Sequence, residues 1–362
     1  MLALTLIPSD AGHRPAAKGR TARRKGTHVQ KLTLIAASAI TLSAMTLTAC
    51  GSDSGGSDAG SGSGGDSGSI TMGFAQVGAE SGWRTANTTS IQDSAEEAGV
   101  DLKFTDAQGK QENQIQAIRS YIQQKVDVIA FSPVVETGWD AVLQEAKSAN
   151  IPVILTDRAV DSDASLYKTF IGSDFVVEGE KAGQWLVDNA ADSDVDGDGT
   201  VNVVQLEGTT GAAPAIDRAE GFADVISSDP TIEVTASQTG DFTRDGGKQV
   251  MESFLQSDDS IDVVYAHNDD MGLGAIEAIE AAGLTPGTDI KIITVDAVKD
   301  GMQALADGKI NFIVECSPLL GPQLMDLAEK VVAGDEVEPR VLTEETTFTQ
   351  EEAKEALPTR QY

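Results

Sequence analysis

The sequence predicts an α/β protein built from doubly wound parallel sheets, and three observations carry that reading. Apolar runs rich in β-branched residues recur at 70–75, 100–104, 126–131, 151–155, 201–206, 232–236, 261–266, 290–295 and 312–314. Helical patterns lie between them, as at 113–124, where Ile115, Ile118, Tyr121 and Ile122 fall on one face. Polar and aromatic residues gather at the carboxyl ends of the runs. Strands alternating with helices imply parallel sheets joined by right-handed crossovers. More than eight strands fit either one barrel or two doubly wound domains, and the polar strand ends favour two lobes facing one another.

The segment 151–158, Ile-Pro-Val-Ile-Leu-Thr-Asp-Arg, shows the logic most clearly. Its apolar run suits a strand covered by helices on both faces. In an open parallel sheet, ligands bind in the crevice outside the carboxyl ends of the strands, so Asp157 and Arg158 stand at its lip. An ion pair closing a strand end is the plain alternative, and the other strands must decide. After the first strand comes Ser81-Gly82-Trp83-Arg84. Run 201–206 is followed by a loop leading to Asp217-Arg218, and run 261–266 by His267-Asn268-Asp269. Asp296 follows run 290–295, and Glu315 follows run 312–314. Ser317-Pro318 has the form of a cap and first-turn pair opening another helix. Aromatic faces cover the C–H groups of a neutral polyol, while planar Arg, Asp and Asn groups bond its hydroxyls in pairs. Asp269 and Asp270 are the leading candidates for ordinary helix caps.

The chain has 362 residues, 40% of them hydrophobic, enough for two domains with full cores. Its formal charge is −31, and residues 1–49 hold seven Lys/Arg against one Asp, so the rest is more acidic still. Such a body is repelled by phosphate backbones and anionic surfaces, which excludes nucleic acid as a partner. Of two cysteines, Cys50 is accounted for below, leaving Cys316 without a disulfide partner. His13 and His28 lie in the leader, so His267 alone cannot build a His-rich metal site or a Ser/His hydrolase centre.

Arg23, Arg24, Lys25 and Lys31 precede an uncharged stretch, 32–49, that ends Leu47-Thr48-Ala49-Cys50. This is similar to the lipobox of a bacterial lipoprotein signal, in which the cysteine carries the lipid. A spanning helix fits less well with so much Ala, Ser and Thr. Twin-arginine export at Arg23-Arg24 is disfavoured by the residues that follow the pair. The segment before Val29 is longer than such a leader needs, which leaves two readings of the start, Met1 or near Val29. Residues 51–69 hold only Gly, Ser, Asp and Ala, a flexible coil reaching roughly 25 Å. The expectation is a body on the outer face of the cytoplasmic membrane, held there by its lipid alone.

The blocks 78–84, 110–115, 133–139, 155–161, 217–222, 240–255 and 265–271 together resemble the type I periplasmic sugar-binding proteins of the ribose and galactose group. Within it they are most similar to galactofuranose-binding subunits of ABC importers. The resemblance runs from about residue 70 to 348 and implies two Rossmann-like lobes joined by a three-strand hinge. It implies a signal peptide at 1–49, Cys50 with its linker at 50–69, a first lobe of 70–172 plus 317–341, and a second of 173–316 plus 342–362. Carried over by position, it implies sugar contacts from Trp83, Arg84, Asp157 and Arg158 in the first lobe and Arg218, Phe242, Asn268 and Asp296 in the second. Glu315 falls where ribose binders have a glutamine and is expected to help exclude ribose. Hinge closure traps the monosaccharide for the permease. A monomer without a cofactor for chemistry is implied.

Residues 194–202, Asp-Val-Asp-Gly-Asp-Gly-Thr-Val-Asn, alternate oxygen donors with a glycine at the sixth position, as the first part of an EF-hand loop does. The closing glutamate of such a loop is missing. In the related galactose-binding protein a calcium loop occurs at this junction and takes its last carboxylate from a later strand, where Asp262 stands. A structural calcium on Asp194, Asp196, Asp198, the Thr200 carbonyl, Asn202 and Asp262 is implied; a solvated acidic turn is the alternative.

A repressor of this fold needs a helix-turn-helix in place of the leader. A dinucleotide enzyme needs Gly-x-Gly-x-x-Gly after the first strand, which is missing; Gly272-Leu273-Gly274 lies in a helical pattern without the third glycine. A lipoprotein sensing sugar for a membrane kinase, or an importer subunit for galactose, ribose or arabinose, uses the same cleft.

Overall fold

Strands with no polar face need cover on both sides, and the computed structural model supplies it. It describes residues 69–362, so the signal segment, Cys50 and nearly all of the linker lie outside the described residues. The first lobe runs β1 (Thr71–Gln76), α1 (Gly82–Ala98), β2 (Asp101–Asp106), α2 (Gln111–Gln124), β3 (Val128–Phe131), α3 (Asp140–Ser148), β4 (Val153–Thr156) and β5 (Thr169–Gly172). The second runs α4 (Phe175–Asp188), α5 (Ala190–Ser193), β6 (Val201–Glu207), α6 (Ala213–Ile226), β7 (Ile232–Thr239), α7 (Arg244–Ser257), β8 (Val263–Ala266), α8 (Asp269–Ala281), β9 (Lys291–Asp296), α9 (Lys299–Ala306) and β10 (Phe312–Glu315). The chain then returns through α10 (Gly321–Ala333) and β11 (Arg340–Leu342) before β12 (Thr347–Phe348) and α11 (Gln350–Ala356).

Two six-stranded sheets result, ordered β11-β5-β4-β3-β1-β2 and β12-β10-β9-β8-β6-β7. All pairings are parallel except β12 on β10, which is antiparallel. Every residue of β3, β4 and β8 is buried, which explains why their sequences run apolar instead of alternating. Each sheet carries one hydrophobic cluster on either face, four clusters in all.

Three strands were not expected from sequence: β5, β11 and β12. β5 is four residues with a threonine and a glycine, and β11 is a half-exposed edge strand of three, so neither has enough pattern to register. Ser317-Pro318 does not open a helix. α10 begins at Gly321 with a proline in its first turn, and the Gly321 N–H donates to Ser90 Oγ at 3.0 Å.

The main chain passes between the lobes three times: between β5 and α4, between β10 and α10, and between β11 and β12. One carboxylate oxygen gathers all three passages. Glu345 Oε1 accepts from Thr343 Oγ1 at 2.8 Å, from the Ser317 N–H at 3.0 Å and from Ser173 Oγ. In the second lobe, α4 and α6 approach closely because both carry glycine at the contact. A Cβ on Gly179 meets the Arg218 carbonyl oxygen at 2.3 Å, and one on Gly221 meets that of Val176 at 2.1 Å. That close approach brings Arg218 of α6 against Glu178 of α4.

Candidate functional site

The parallel direction of both sheets puts their carboxyl ends face to face, and a small cavity lies there, with about 290 Å³ unoccupied by protein atoms. Glu80, Ser81, Trp83, Arg84, Asp157 and Arg158 line it from the first lobe; Pro214, Arg218, Phe242, Asn268, Asp296 and Cys316 line it from the second lobe and the passage after β10. Eight of the nine residues assigned to sugar contact from sequence are therefore brought together.

Glu315 is not among them. Its Oε1 takes Arg360 Nη1 at 2.7 Å and the Tyr362 hydroxyl at 3.1 Å, and its Oε2 takes the Thr346 N–H at 3.2 Å. Glu315 ends β10 and does not line the cavity, whereas the next residue, Cys316, does. Asp269 and Asp270 are not caps either: Asn268 caps α8, its Oδ1 accepting from the Met271 N–H at 3.0 Å. Asp269 is buried between Thr294 Oγ1 and the Val298 N–H, and Asp270 reaches across to the first lobe.

Three buried guanidinium groups dominate the cavity wall, and each has a different set of partners. Arg84 spends Nε on Glu80 at 3.0 Å, Nη1 on Gln76 at 3.2 Å and Nη2 on Asp157 at 2.6 Å. Burial works against its charge, but Asp157 and Glu80 more than offset this and raise its pKa. Arg218 gives Nε to Glu178 at 2.7 Å and Nη1 to the His267 carbonyl at 2.5 Å, with Asp296 3.9 Å from Nη2. Arg158 is less well matched. Its Nη1 reaches the Val134 carbonyl at 3.3 Å, Glu80 and Asp157 stand 3.6 Å away, and its Nε has no hydrogen-bond partner. Burial and then repulsion from Arg84 push its pKa down to about 10.

The carboxylates answer in kind. Burial raises Glu80, yet Arg84 and Arg158 together bring it below its ordinary value. Glu178 is pushed up to about 8 by burial, which the Arg218 charge only partly offsets. Asp296 is raised by burial, against Arg218 and with the neighbouring Asp269, Glu178 and Asp270. Buried charges of this kind are tolerable when paired. Arg84 and Arg218 are bonded to acids and Arg158 has two acids 3.6 Å away, so the cavity suits a neutral ligand better than an anion.

Two aromatics complete the wall. Trp83 anchors its Nε1 on the Cys316 carbonyl at 2.7 Å, so its ring is fixed by a bond to the hinge passage. The Phe242 ring sits over Gly208, where a Cβ is excluded at 1.9 Å, and Arg158 from the opposite lobe stacks 5.2 Å from its centroid. Asp157, Phe242 and Asp296 all have left-handed φ values of 63°, 61° and 120°. Non-glycine residues pay of order 1–3 kcal/mol for such conformations, which cluster where a side chain must be aimed.

Sequence reasoning named Ser81 at the strand end without giving it a contact, and it missed Glu80, Pro214 and Cys316 as cavity residues and Glu178 behind Arg218. The signal for Glu80 was its spacing of four residues before Arg84 on a helix start. Glu178 was not visible, because its contact is made only by helix packing. His267 is a packing residue: Nε2 lies 3.3 Å from Gln205 Oε1, and burial, with Arg218, lowers its pKa to about 3.

Away from the cleft, Asp194, Asp196 and Asp198 each bring an oxygen within 4.8 Å of the others. Asp262 stands against the same loop, but its oxygens accept the N–H groups of Val195 at 2.9 Å and Asn202 at 2.8 Å. The aspartates are also engaged with the loop's own backbone: Asp194 Oδ1 takes the Gly197 N–H, and Asp198 Oδ1 that of Thr200, both at 2.8 Å.

Comparison with known proteins identifies the family. The model of the periplasmic binding protein domain family matches residues 72–336. The galactofuranose-binding protein YtfQ of Escherichia coli is 48% identical over 80% of this chain and 90% of its own. A crystal structure from Mycobacterium smegmatis, in complex with β-D-fucofuranose, is 70% identical, with a TM-score of 0.78 over 81% of this chain and 96% of that one. The binding protein of an arabinose ABC transporter from Shewanella, bound to α- and β-L-arabinofuranose, is 48% identical, with a TM-score of 0.76 over 81% of this chain and 96% of that one. No helix among the described residues is long and apolar enough to cross a membrane. The chain belongs to the periplasmic binding proteins, of the type I architecture, whose work is capture and not catalysis.

Proposed function

We propose that this chain is the sugar-capturing subunit of an ABC importer and that its ligand is a furanose, galactofuranose first among the candidates. The observation that carries the reading is the interlobe cavity, where arginines matched by carboxylates face two fixed aromatic rings. Among the residues that line it, Glu80 Oε2 and Arg158 Nε are buried without hydrogen-bond partners, an acceptor and a donor that a ligand's hydroxyls would satisfy. Trp83 and Phe242 take the C–H faces of the ring. Arg84, Asp157, Arg158, Arg218, Asn268 and Asp296 take its hydroxyls.

The furanose form is supported by the three relatives, each named for or bound to one. Galactofuranose, fucofuranose and arabinofuranose differ mainly in the arm carried by the five-membered ring. Closure of the lobes on the hinge presents the loaded form to a permease. The same proposal includes a lipid on Cys50 that holds a monomeric body at the outer face of the membrane. It also includes a structural calcium on the 194–202 loop, for which the converging aspartates and the adjacent Asp262 are the support.

Thermal unfolding of the chain from Gly51 onward, with galactofuranose, galactopyranose, fucofuranose, ribose and arabinose in turn, tests the ligand. A sugar present at about 100 times its dissociation constant adds roughly 2.7 kcal/mol, or about 5–10 °C in the midpoint. Shifts with the furanoses alone are expected. A shift only with pyranoses overturns the ring form, and no shift with any sugar overturns the ligand class. Calorimetric calcium titration is expected to lose its signal in Asp262→Ala; an unchanged titration overturns the ligand set. Mass spectrometry of the membrane-bound chain is expected to find the lipid on Cys50.

A further inference from the structure

We infer that Arg360 is a positioning residue for Asp296, and that Glu315 acts on the cleft through Arg360 instead of touching ligand. The inference rests on the proposed function only in taking Asp296 as a ligand contact. Asp296 and Ala297 form a turn at the end of β9 with consecutive left-handed φ values of 120° and 65°. Neither is glycine, so the turn persists only if its surroundings hold it.

Three bonds do so. The Cys316 N–H donates to the Asp296 carbonyl at 3.2 Å, the Val298 N–H donates to Asp269 Oδ2 at 2.7 Å, and Arg360 Nε donates to the Ala297 carbonyl at 2.7 Å. The third is the one made by a cationic side chain, and it comes from the C-terminal tail. Arg360 is itself locked on every nitrogen. Nη1 goes to Glu315 at 2.7 Å and Nη2 to the Tyr362 hydroxyl, while the guanidinium carbon lies 4.1 Å from the Tyr362 ring centroid and 5.2 Å from that of Phe348. Glu315 is also paired in register with Asp296 across β10 and β9. The tail therefore clamps the two strand ends that carry Asp296 and Cys316. With the clamp gone, the turn is free to relax toward ordinary φ, which swings the Asp296 carboxylate away from the cavity.

Two measurements test this. Hydrogen exchange on the ligand-free chain is expected to show that Arg360→Ala lowers amide protection at Val298 and Cys316 while leaving Val263–Ala266 unchanged. Equal loss everywhere, or no loss at the turn, overturns the bracing whatever the ligand is. The second is a double-mutant cycle with the sugar that raises the wild-type midpoint, run well below every variant's unfolding temperature. Arg360→Ala and Asp296→Asn are each expected to weaken binding about tenfold or more, with the double variant no worse than about threefold beyond Asp296→Asn. Full additivity, a product of the two losses, shows that Arg360 acts independently of Asp296 and overturns the inference. Arg360→Lys keeps the charge but not the fork; it is expected to follow Arg360→Ala in the cycle with a smaller loss of stability. If no sugar binds the wild type, the functional reading falls while the exchange experiment still decides the bracing.

Discussion

Asp270 of the second lobe accepts a hydrogen bond from the Gly82 N–H of the first, Oδ2 to N 2.7 Å. Gly82 is the first residue of α1, so the carboxylate sits on a free helix N–H at the positive end of that helix. This bond exists only when the lobes are together, and it stabilises closure directly. Asp270→Ala is expected to favour the open form. Hydrogen bonds to charged groups are worth about 1.5–3 kcal/mol, so sugar affinity should fall by about tenfold or more. Calorimetry checks the affinity, and small-angle scattering of the ligand-free variant should show a larger radius of gyration. Unchanged affinity means that the bond does not govern closure.

Glu80 is the cavity residue that binding should expose most clearly. Its Oε1 is committed to Arg84, and its Oε2 is buried without a partner. Glu80→Gln keeps the shape, removes the charge, and sets an N–H₂ group against the arginines. Sugar affinity is expected to fall about tenfold, by calorimetry, with Tm lowered by only a few degrees. A large fall in Tm with unchanged affinity assigns Glu80 to the frame instead of the ligand.

The pH dependence of stability should carry the mark of Glu178. Burial raises its pKa to about 8 in the folded chain, against an ordinary value of 4.5. The native state thus keeps a proton that the unfolded chain has released, and stability falls as pH rises through that window. The slope from one such group is at most about 1.4 kcal/mol per pH unit. Glu178→Gln removes it, so the variant is expected to gain on the wild type between about pH 5 and about pH 8 in thermal unfolding. A constant gap between the two across that range contradicts the raised pKa.

Helix contact behind the site has little slack. In Gly179→Ala the new Cβ meets the Arg218 carbonyl oxygen at 2.3 Å, backbone that has no rotamer to move. Overpacking of this kind destabilises by about 1–3 kcal/mol, which for this length means a fall in Tm of about 2–10 °C. Differential scanning calorimetry checks it, and sugar affinity should fall too, because Arg218 moves with α6.

What the sequence by itself determined is everything that depends on local pattern and on position along a strand. The apolar runs at 128–131 and 153–156 named their strands because burial on both faces leaves no polar residue in them. Asp157, Arg158, Asn268 and Asp296 declared themselves as cleft residues because a parallel sheet sends all its carboxyl ends to one side. Tertiary structure alone decided which groups claim the Glu315 carboxylate, since the Arg360 bonded to it lies 45 residues away. It also decided that Ser317 belongs to a hinge tied by Glu345 and not to a helix cap, and that Glu178 stands behind Arg218. Those outcomes are set by long-range packing of helices and of the tail, where two groups meet only because glycines and strand register bring their elements together. No periodicity within a segment encodes such a meeting.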